Sequence, residues 1–133
     1  MTLKFMSDEW AKGLMEAVNE SEAYRAAAAD WEGDFFFTSD MGGAETATIY
    51  IDLWHGKCRE AFAVDDQGEK SPDFLVSGKV SAWEKVIGKQ VDPIQALMTR
   101  QLKLKGNMSK ILRSVKATQE LVNCATQVPT DFS

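Results

Sequence analysis

Several residue types that build catalytic and metal sites are scarce in this chain. Among 133 residues there is one histidine, His55, and the two cysteines, Cys58 and Cys124, form no C-x-x-C or zinc-like pattern. A histidine-based metal site, or a serine or cysteine nucleophile activated by histidine, would therefore depend on His55 alone. His55 and Gly56 stand between two strand-like runs, which favours a hairpin turn over a catalytic role. We predict two free thiols, no metal, no cofactor and no enzymatic activity.

Long apolar runs are also absent. No segment approaches the ~20 consecutive apolar residues of a membrane-spanning helix, and the N-terminal run MTLKFMSDEW lacks the apolar core of a signal peptide. A cytoplasmic location is the resulting expectation. The apolar fraction of 44% and the charged fraction of 26% are those of an ordinary globular protein. The length predicts a single domain, residues 1–133, that buries roughly two-thirds of the surface of its unfolded chain.

Charge is unevenly distributed along the chain. The net charge is −5, but residues 1–66 carry 5 Lys and Arg against 14 Asp and Glu, whereas residues 67–133 carry 10 against 6. Six basic residues follow one another without an intervening acid, namely Arg100, Lys103, Lys105, Lys110, Arg113 and Lys116. This basic stripe is either a solvated face or a surface for anionic membranes and phosphates. Nucleic acid is not expected, because the chain is acidic overall and the stripe has no interleaved aromatic residues.

Helix signals open and close the chain. Ser7 is the predicted cap of a first helix, whose buried face includes Trp10. Asn19, with Glu22 three residues later, predicts a capping box at the start of a second helix. A last helix is predicted as one continuous element over residues 109–125.

Alternating segments between these helices predict strands. Three runs, 34–39, 46–54 and 57–64, are separated by turns that contain glycine, which is typical of an antiparallel meander. A fourth strand is predicted over residues 73–77, and a short helix follows it over residues 80–87.

The stretch 92–108, DPIQALMTRQLKLKGNM, predicts a helix, a strand and the start of the last helix. Its Asp-Pro pair is a helix-start signal, and residues 101–105 alternate between leucines on one face and lysines on the other. The complete order is α-α-β-β-β-β-α-α-β-α. We therefore predict an α+β fold with a five-stranded mixed, mostly antiparallel sheet that is covered on one face by helices.

The same stretch resembles the C-terminal signature of the sterol carrier protein 2 domain family, the sterol-transfer or nonspecific lipid-transfer proteins. In that family a D-P-x-x-A-x-M segment leads into a strand of the type L-K-[IVL]-K-G-[ND], which a helix follows. The chain matches this pattern at Asp92, Pro93, Ala96, Met98, Leu102, Lys103, Leu104, Lys105, Gly106 and Asn107. The run SDEWAKGLMEAVNESEAYRAAAADWEGDFFF and the tail VPTDF look like those of small prokaryotic single-domain members. The resemblance thus covers essentially the whole chain.

The resemblance implies a non-enzymatic lipid binder without a cofactor. Members of the family hold a fatty acid, a fatty acyl-CoA, a sterol-like molecule or a phospholipid in a tunnel between the sheet and the helices. The signature is structural rather than catalytic, so it indicates the fold more specifically than the ligand. The alternative is an accessory or interaction domain of the same fold with a filled tunnel, because bulky side chains can plug a cavity.

The expected tunnel lining comes from the inward faces of the strands and from the helix faces nearest the sheet. The candidates are Phe35, Phe37, Ile49, Ile51, Phe74, Trp83, Ile87, Ile94, Leu97, Met98, Leu102, Leu104, Met108, Ile111 and Leu112. Taken singly, each is more readily explained as ordinary core, because a sequence does not show where packing ends and a cavity begins. Acidic residues such as Asp52 and Glu84 are predicted to face solvent, which makes an enzymatic site the weakest interpretation.

Overall fold

The computed structural model describes residues 2–43, 45–65, 68 and 70–132. In chain order its elements are β1 (Leu3–Lys4), α1 (Asp8–Glu20), α2 (Glu22–Ala27), β2 (Glu32–Gly42), β3 (Glu45–Trp54), β4 (Lys57–Ala63), β5 (Phe74–Lys79), α3 (Val80–Ile87), α4 (Pro93–Met98), β6 (Leu102–Lys105), α5 (Met108–Leu112), α6 (Val115–Thr126) and β7 (Thr130–Asp131). Within these described ranges, no helix is long and apolar enough to cross a bilayer.

Five strands form one sheet in the order β4-β3-β2-β5-β6. The central strand β2 pairs with β3 in the antiparallel sense and with β5 in the parallel sense. The outer pairs, β3 with β4 and β5 with β6, are both antiparallel. Strand β5 follows β4 in the chain, lies on the far side of β2 and runs in the same direction as β2. The predicted α+β class and the mixed, mostly antiparallel five-stranded sheet are confirmed.

One face of the sheet packs against helices and forms the core. Its side chains alternate along each strand, so that Phe35, Phe37 and Ile51 point inward and are at most 8% exposed. Trp83 fixes α3 to this face, because its ring lies 5.4 Å from the Phe37 ring and its Nε1 donates to the Thr38 carbonyl at 3.1 Å. The predicted lining candidates of the strands therefore do face the helices.

The opposite face carries a small aromatic cluster among polar residues. Phe36 and Tyr50 are buried there, and the Phe62 ring lies 5.2 Å from the Tyr50 ring. The Lys70 ammonium group lies 4.9 Å from the Tyr50 ring and 5.9 Å from the Phe62 ring, so it covers part of the cluster. Polar side chains such as Lys103 occupy the rest of this face.

The predicted cap of the second helix is wrong. Ser21 caps α2, because its Oγ accepts from the Tyr24 N–H at 3.0 Å. Asn19 lies inside α1, where its amide donates to the Cys58 carbonyl at 2.9 Å and accepts from the Cys58 N–H at 2.8 Å. These two bonds occupy backbone groups of the edge strand β4, which would otherwise be open to pairing with another chain. This role depends on a residue 39 positions away, which local cap patterns do not reveal.

The predicted last helix is divided into α5 and α6. Arg113 ends α5, and Ser114 precedes α6 with a φ of −122° and a ψ of 38°, outside the helical range. Ile111 and Val115 are nevertheless four positions apart, so the apolar pattern continues across the break and hides it.

Two short strands that were not predicted tie the chain ends together. Strands β1 and β7 pair in parallel, and the Leu3 N–H donates to the Pro129 carbonyl at 2.8 Å. The Trp10 Nε1 donates to the Thr130 hydroxyl at 2.9 Å, and the Phe5 and Phe132 rings lie 4.9 Å apart. The C-terminal segment is thereby packed against α1.

Candidate functional site

An apolar cavity of about 80 Å³ lies between the inward face of the sheet and helices α3 to α6. Its lining residues are Phe35, Phe37, Val76, Trp83, Val86, Pro93, Leu97, Leu102, Leu104, Ile111, Thr118, Leu121 and Val122. Among these described lining residues only Thr118 and Trp83 carry polar side-chain atoms. The Thr118 hydroxyl donates to the Ser114 carbonyl at 3.0 Å, and the Trp83 Nε1 is bonded to the Thr38 carbonyl. The cavity wall therefore suits an apolar occupant.

The cavity is small for a lipid. Pockets that bind drug-sized ligands measure about 300–1,000 Å³. The volume of about 80 Å³ is well below that range. Aromatic rings occupy much of the space on the sheet side, where Phe35 lies 5.2 Å from Phe37 and 5.0 Å from Phe74. A long acyl chain would have to displace part of the wall.

Larger depressions lined by the described residues mix charged, polar and apolar side chains and are more open to solvent. One of about 690 Å³ lies between α1 and α6, with Glu16, Glu20 and Asn123 among its lining residues. Volume by itself therefore does not identify a lipid site in this fold. Enclosure by apolar side chains on both the sheet side and the helix side distinguishes the smaller cavity.

The structure brings seven of the fifteen predicted lining residues together around the cavity. These seven are Phe35, Phe37, Trp83, Leu97, Leu102, Leu104 and Ile111. Three others, Ile49, Ile51 and Phe74, are buried in the core beyond the cavity wall. Ile87, Ile94 and Met108 are half-buried and pack against the core from its edge.

Met98 and Leu112 lie outside the cavity and in solvent. Met98 is 63% exposed and Leu112 is 42% exposed. Successive residues on a helix are about 100° apart around its axis. Leu97 on α4 and Ile111 on α5 face the cavity, which turns the residue that follows each of them outward.

Six lining residues were not among the predicted ones. They are Val76, Val86, Pro93, Thr118, Leu121 and Val122. The last three lie at i, i+3 and i+4 on α6, so helical spacing does place them on one face. That spacing could have suggested them, but it does not tell which neighbouring element the face meets.

The predicted basic stripe does not form one surface. The Lys110 ammonium group donates to the Glu32 carbonyl and lies 4.8 Å from the Trp31 ring. Lys116 pairs with Glu120 at 3.0 Å. The residues run through a turn, a strand and two helices, so continuity along the sequence does not become continuity in space. Arg100 and Lys103 instead line a separate cleft.

The prediction that Asp52 faces solvent is wrong. Asp52 is 9% exposed, and the Arg59 guanidinium covers it with two hydrogen bonds of 3.0 and 3.2 Å. It lines a polar cleft of about 370 Å³ together with Asp34 and Tyr50. The Tyr50 hydroxyl donates to Asp34 at 2.7 Å, and burial, followed by this bond, raises the pKa of Tyr50. The groups of this cleft are thus bonded to one another, whereas Glu84 is exposed as predicted.

His55 lies in a turn, as the sequence indicates. Its φ is 50° and that of Gly56 is 81°, and the two residues join β3 to β4. The imidazole Nε2 lies 2.6 Å from Glu32 Oε2, and Nδ1 lies 2.8 Å from the Ala29 carbonyl oxygen. The bond to Glu32, and then the one to Ala29, raises the pKa of His55.

The two cysteines are free and buried. Burial raises the pKa of the Cys58 thiol to about 12 and also raises that of Cys124. Because the thiolate is the nucleophilic form, thiols in this state are unreactive. Among the described residues, no group of three or more His, Cys, Asp or Glu side chains is placed to hold a metal ion.

Several solved structures that resemble this chain carry sterol carrier names. A crystal structure of sterol carrier protein 2 is 34% identical, with 93% of this chain and 98% of that chain covered and a TM-score of 0.85. A solution structure of a conserved hypothetical protein from Thermus thermophilus, described as possibly a sterol carrier protein, is also 34% identical, with coverage of 97% and 92% and a TM-score of 0.85. Sterol carrier protein 2 from Yarrowia lipolytica shares the fold at 14% identity, with coverage of 86% and 88% and a TM-score of 0.62.

Comparison with the sequence profiles of protein families leads to the same family, whereas no curated protein sequence matches the chain. The sequence profile of the SCP-2 sterol transfer family matches residues 7–119, which extend from the cap of α1 into α6. The chain belongs to the SCP-2 sterol transfer family.

Proposed function

We propose that this protein binds the apolar chain of a lipid between the sheet and the helices and carries it without chemical change. The observation that supports this most directly is the apolar wall of the enclosed cavity. Burial of each methylene contributes roughly 0.8 kcal/mol. A long chain therefore gains on the order of ten kcal/mol before the costs of ordering are subtracted. Fatty acids, acyl-CoA, sterol-like molecules and phospholipids all offer such a surface.

Binding requires the cavity to grow, and we infer that α4 and α5 move. They have six and five residues, far fewer than the ~12 that an isolated helix needs to be stable in water. Their position therefore depends on packing, which Leu97 and Ile111 supply from the cavity wall. An acyl chain that replaces these contacts would hold both helices further from the sheet.

A matched pair of substitutions tests the site. Leu121→Trp places an indole in the cavity, whereas Leu112→Trp adds the same group at a position that is 42% exposed. Native mass spectrometry of gently purified protein and titration with a fluorescent fatty acid measure lipid binding. We expect wild type and Leu112→Trp to bind, and Leu121→Trp to bind at least about tenfold more weakly. Equal binding by both variants would place the lipid elsewhere.

The second candidate is an accessory domain of the same fold with a filled cavity. The volume of about 80 Å³ favours it, because the wall already occupies most of the space that a chain would need. The same two measurements on the wild-type protein separate the candidates. If no lipid copurifies and no acyl chain, acyl-CoA or sterol displaces the fluorescent probe, the accessory domain replaces the carrier.

We further propose that the protein takes up its lipid at the surface of an anionic membrane. Lys105 and Arg113 are exposed, and Met98 and Leu112 are exposed apolar side chains, at 63% and 42%. Such combinations of basic and apolar groups bind anionic bilayers. Vesicle binding should fall as salt rises, and it should weaken in the double variant Lys105→Glu/Arg113→Glu. Salt-independent binding would contradict this step.

A further inference from the structure

A basic cleft of about 560 Å³ lies where strands β2, β5 and β6 meet the start of α3. Its lining contains the cations Lys79, Lys85, Arg100 and Lys103 and the single carboxylate Asp40. The local charge is therefore positive, although the whole chain carries −5. Of the ion pairs formed within the described part of the chain, none involves these four cations. Four unpaired cations held around one concave surface favour an anionic ligand.

Neutral donors lie between these cations. Thr38, Ser77 and Lys103 stand opposite one another on β2, β5 and β6, and neighbouring strands are about 4.8 Å apart. The Ser77 hydroxyl thus stands next to the Lys103 position, and beyond it the Thr38 hydroxyl is hydrogen-bonded to the Thr48 hydroxyl at 2.9 Å. Hydroxyls and ammonium groups together can donate to several oxygens of one anion.

The first turn of α3 adds backbone donors to the same cleft. Lys79 is the N-cap and makes no side-chain capping bond, and the first turn contains no acidic residue. Ser81 and Ala82, both in that turn, line the cleft. The N–H groups of a first helical turn have no partner within the helix, and they favour negative charge.

Arg100 reaches the cleft from a disfavoured backbone conformation. Its φ is 61°, in the left-handed region just after α4, where helices commonly end on glycine. A residue with a Cβ is strained there. Lys89 has the same backbone conformation without lining the cleft, so the conformation by itself assigns no role. Arg100 differs from Lys89 in that it lines the cleft.

We propose that this cleft is a binding site for a phosphate ester group. A phosphate monoester is close to doubly negative at pH 7, which matches the excess of cations. The planar guanidinium of Arg100 would bind two of its oxygens at once, and Lys85 and Lys103 would act as point charges. The site is distinct from the apolar cavity, since no described residue lines both. The ester comes either from a soluble molecule or from a lipid headgroup at a membrane surface.

Two glycine substitutions provide the test. Arg100 and Lys89 both have left-handed backbones, with φ of 61° and 63°, and only Arg100 lines the cleft. Arg100→Gly and Lys89→Gly each remove one cation and one strained Cβ. We expect neither variant to lower the midpoint temperature of unfolding. Loss of a charged hydrogen-bond partner should weaken phosphate binding by about tenfold or more in Arg100→Gly alone.

Calorimetric titration with inorganic pyrophosphate and flotation with phosphatidic acid vesicles distinguish the two sources. Binding of pyrophosphate that Arg100→Gly weakens assigns the phosphate group of a soluble compound. Binding only to phosphatidic acid vesicles, again weakened by Arg100→Gly and absent with neutral phosphatidylcholine vesicles, assigns a lipid headgroup. If wild type binds neither probe, or if Lys89→Gly weakens binding equally, the proposal is overturned. A second pair of variants repeats the test without any change at Arg100. The double variant Lys85→Gln/Lys103→Gln removes two cations that line the cleft, and Lys57→Gln/Arg113→Gln removes two that do not. Only the first should weaken phosphate binding.

Discussion

Shortening Leu102 to alanine should destabilise the empty protein and at the same time improve lipid binding. Leu102 is 3% exposed and lines the cavity of about 80 Å³. It also contacts the backbone of β5, because a Cβ added to Gly78 would lie only 2.6 Å from its Cδ2. The substitution therefore removes a wall of the cavity and enlarges the space that an acyl chain needs.

The expected loss in the free energy of unfolding is about 3 kcal/mol. Leucine-to-alanine changes in packed cores cost about 2.7–5.0 kcal/mol, and the cost rises with the void that remains. Leu102 already faces an empty space on one side, so it makes fewer dispersion contacts than a fully enclosed leucine. We therefore expect a value in the lower part of the range. Leu14 on α1, which is 2% exposed and does not line the cavity, should lose about 4 kcal/mol on the same substitution.

Urea unfolding with and without a saturated fatty acid measures both effects. A ligand at about 100 times its dissociation constant adds roughly 2.7 kcal/mol to the stability of the form that binds it. We expect the fatty acid to restore most of the stability of Leu102→Ala and to stabilise it more than the wild type. Leu14→Ala should gain no more than the wild type. If both variants respond alike, Leu102 does not border the lipid site and the reasoning is refuted.

Two further predictions concern a titratable turn and a crowded glycine. The hydrogen bond to Glu32 raises the pKa of His55, so its stabilising contribution is complete below about pH 6.5 and is lost as the pH rises through the raised value. His55→Asn should remove that pH dependence from urea unfolding, and an unchanged slope would contradict the assignment. Gly106→Ala should lower the free energy of unfolding by about 2 kcal/mol or more, because φ is 137° and the new Cβ would lie 2.6 Å from Phe74. Thermal unfolding should show a smaller loss for Gly43→Ala, where φ is 60° and, apart from the chain neighbours, no atom of a described residue lies within 4 Å of the new Cβ.

Local features were predictable where the interacting groups are close in sequence. Ser7 caps α1, and its Oγ accepts from the Trp10 N–H at 3.2 Å. Asp92 starts α4 in the same way, by accepting from the Ile94 N–H at 3.1 Å. The alternation of residues 101–105 places Leu102 inside and leaves its neighbours exposed. Each of these outcomes depends on contacts within three residues or on the twofold period of a strand.

Two of the errors share one physical cause, which is a partner that only the folded chain brings near. Asn19 is a residue type that often caps helices, but its side-chain amide is hydrogen-bonded to the backbone carbonyl and N–H of Cys58 on the edge strand. Asp52 is polar on the expected outer face, but Arg59 covers it. Neither partner can be chosen from the sequence, because many residues of the same type are available and only the folded backbone brings one of them near.

The sequence by itself determined the class of fold, the order of the five strands of the main sheet with the helices between them, and the strand residues that point inward. Hydrophobic periodicity and helix capping act over a few residues, so these properties depend on short stretches of the sequence. Tertiary structure alone decided that Leu97 borders a cavity while Met98 lies in solvent, and that Arg100 joins a basic cleft apart from Lys110. A cavity is what remains when side chains from distant elements fail to fill the space between them. Its position and size therefore depend on volumes summed over the whole fold.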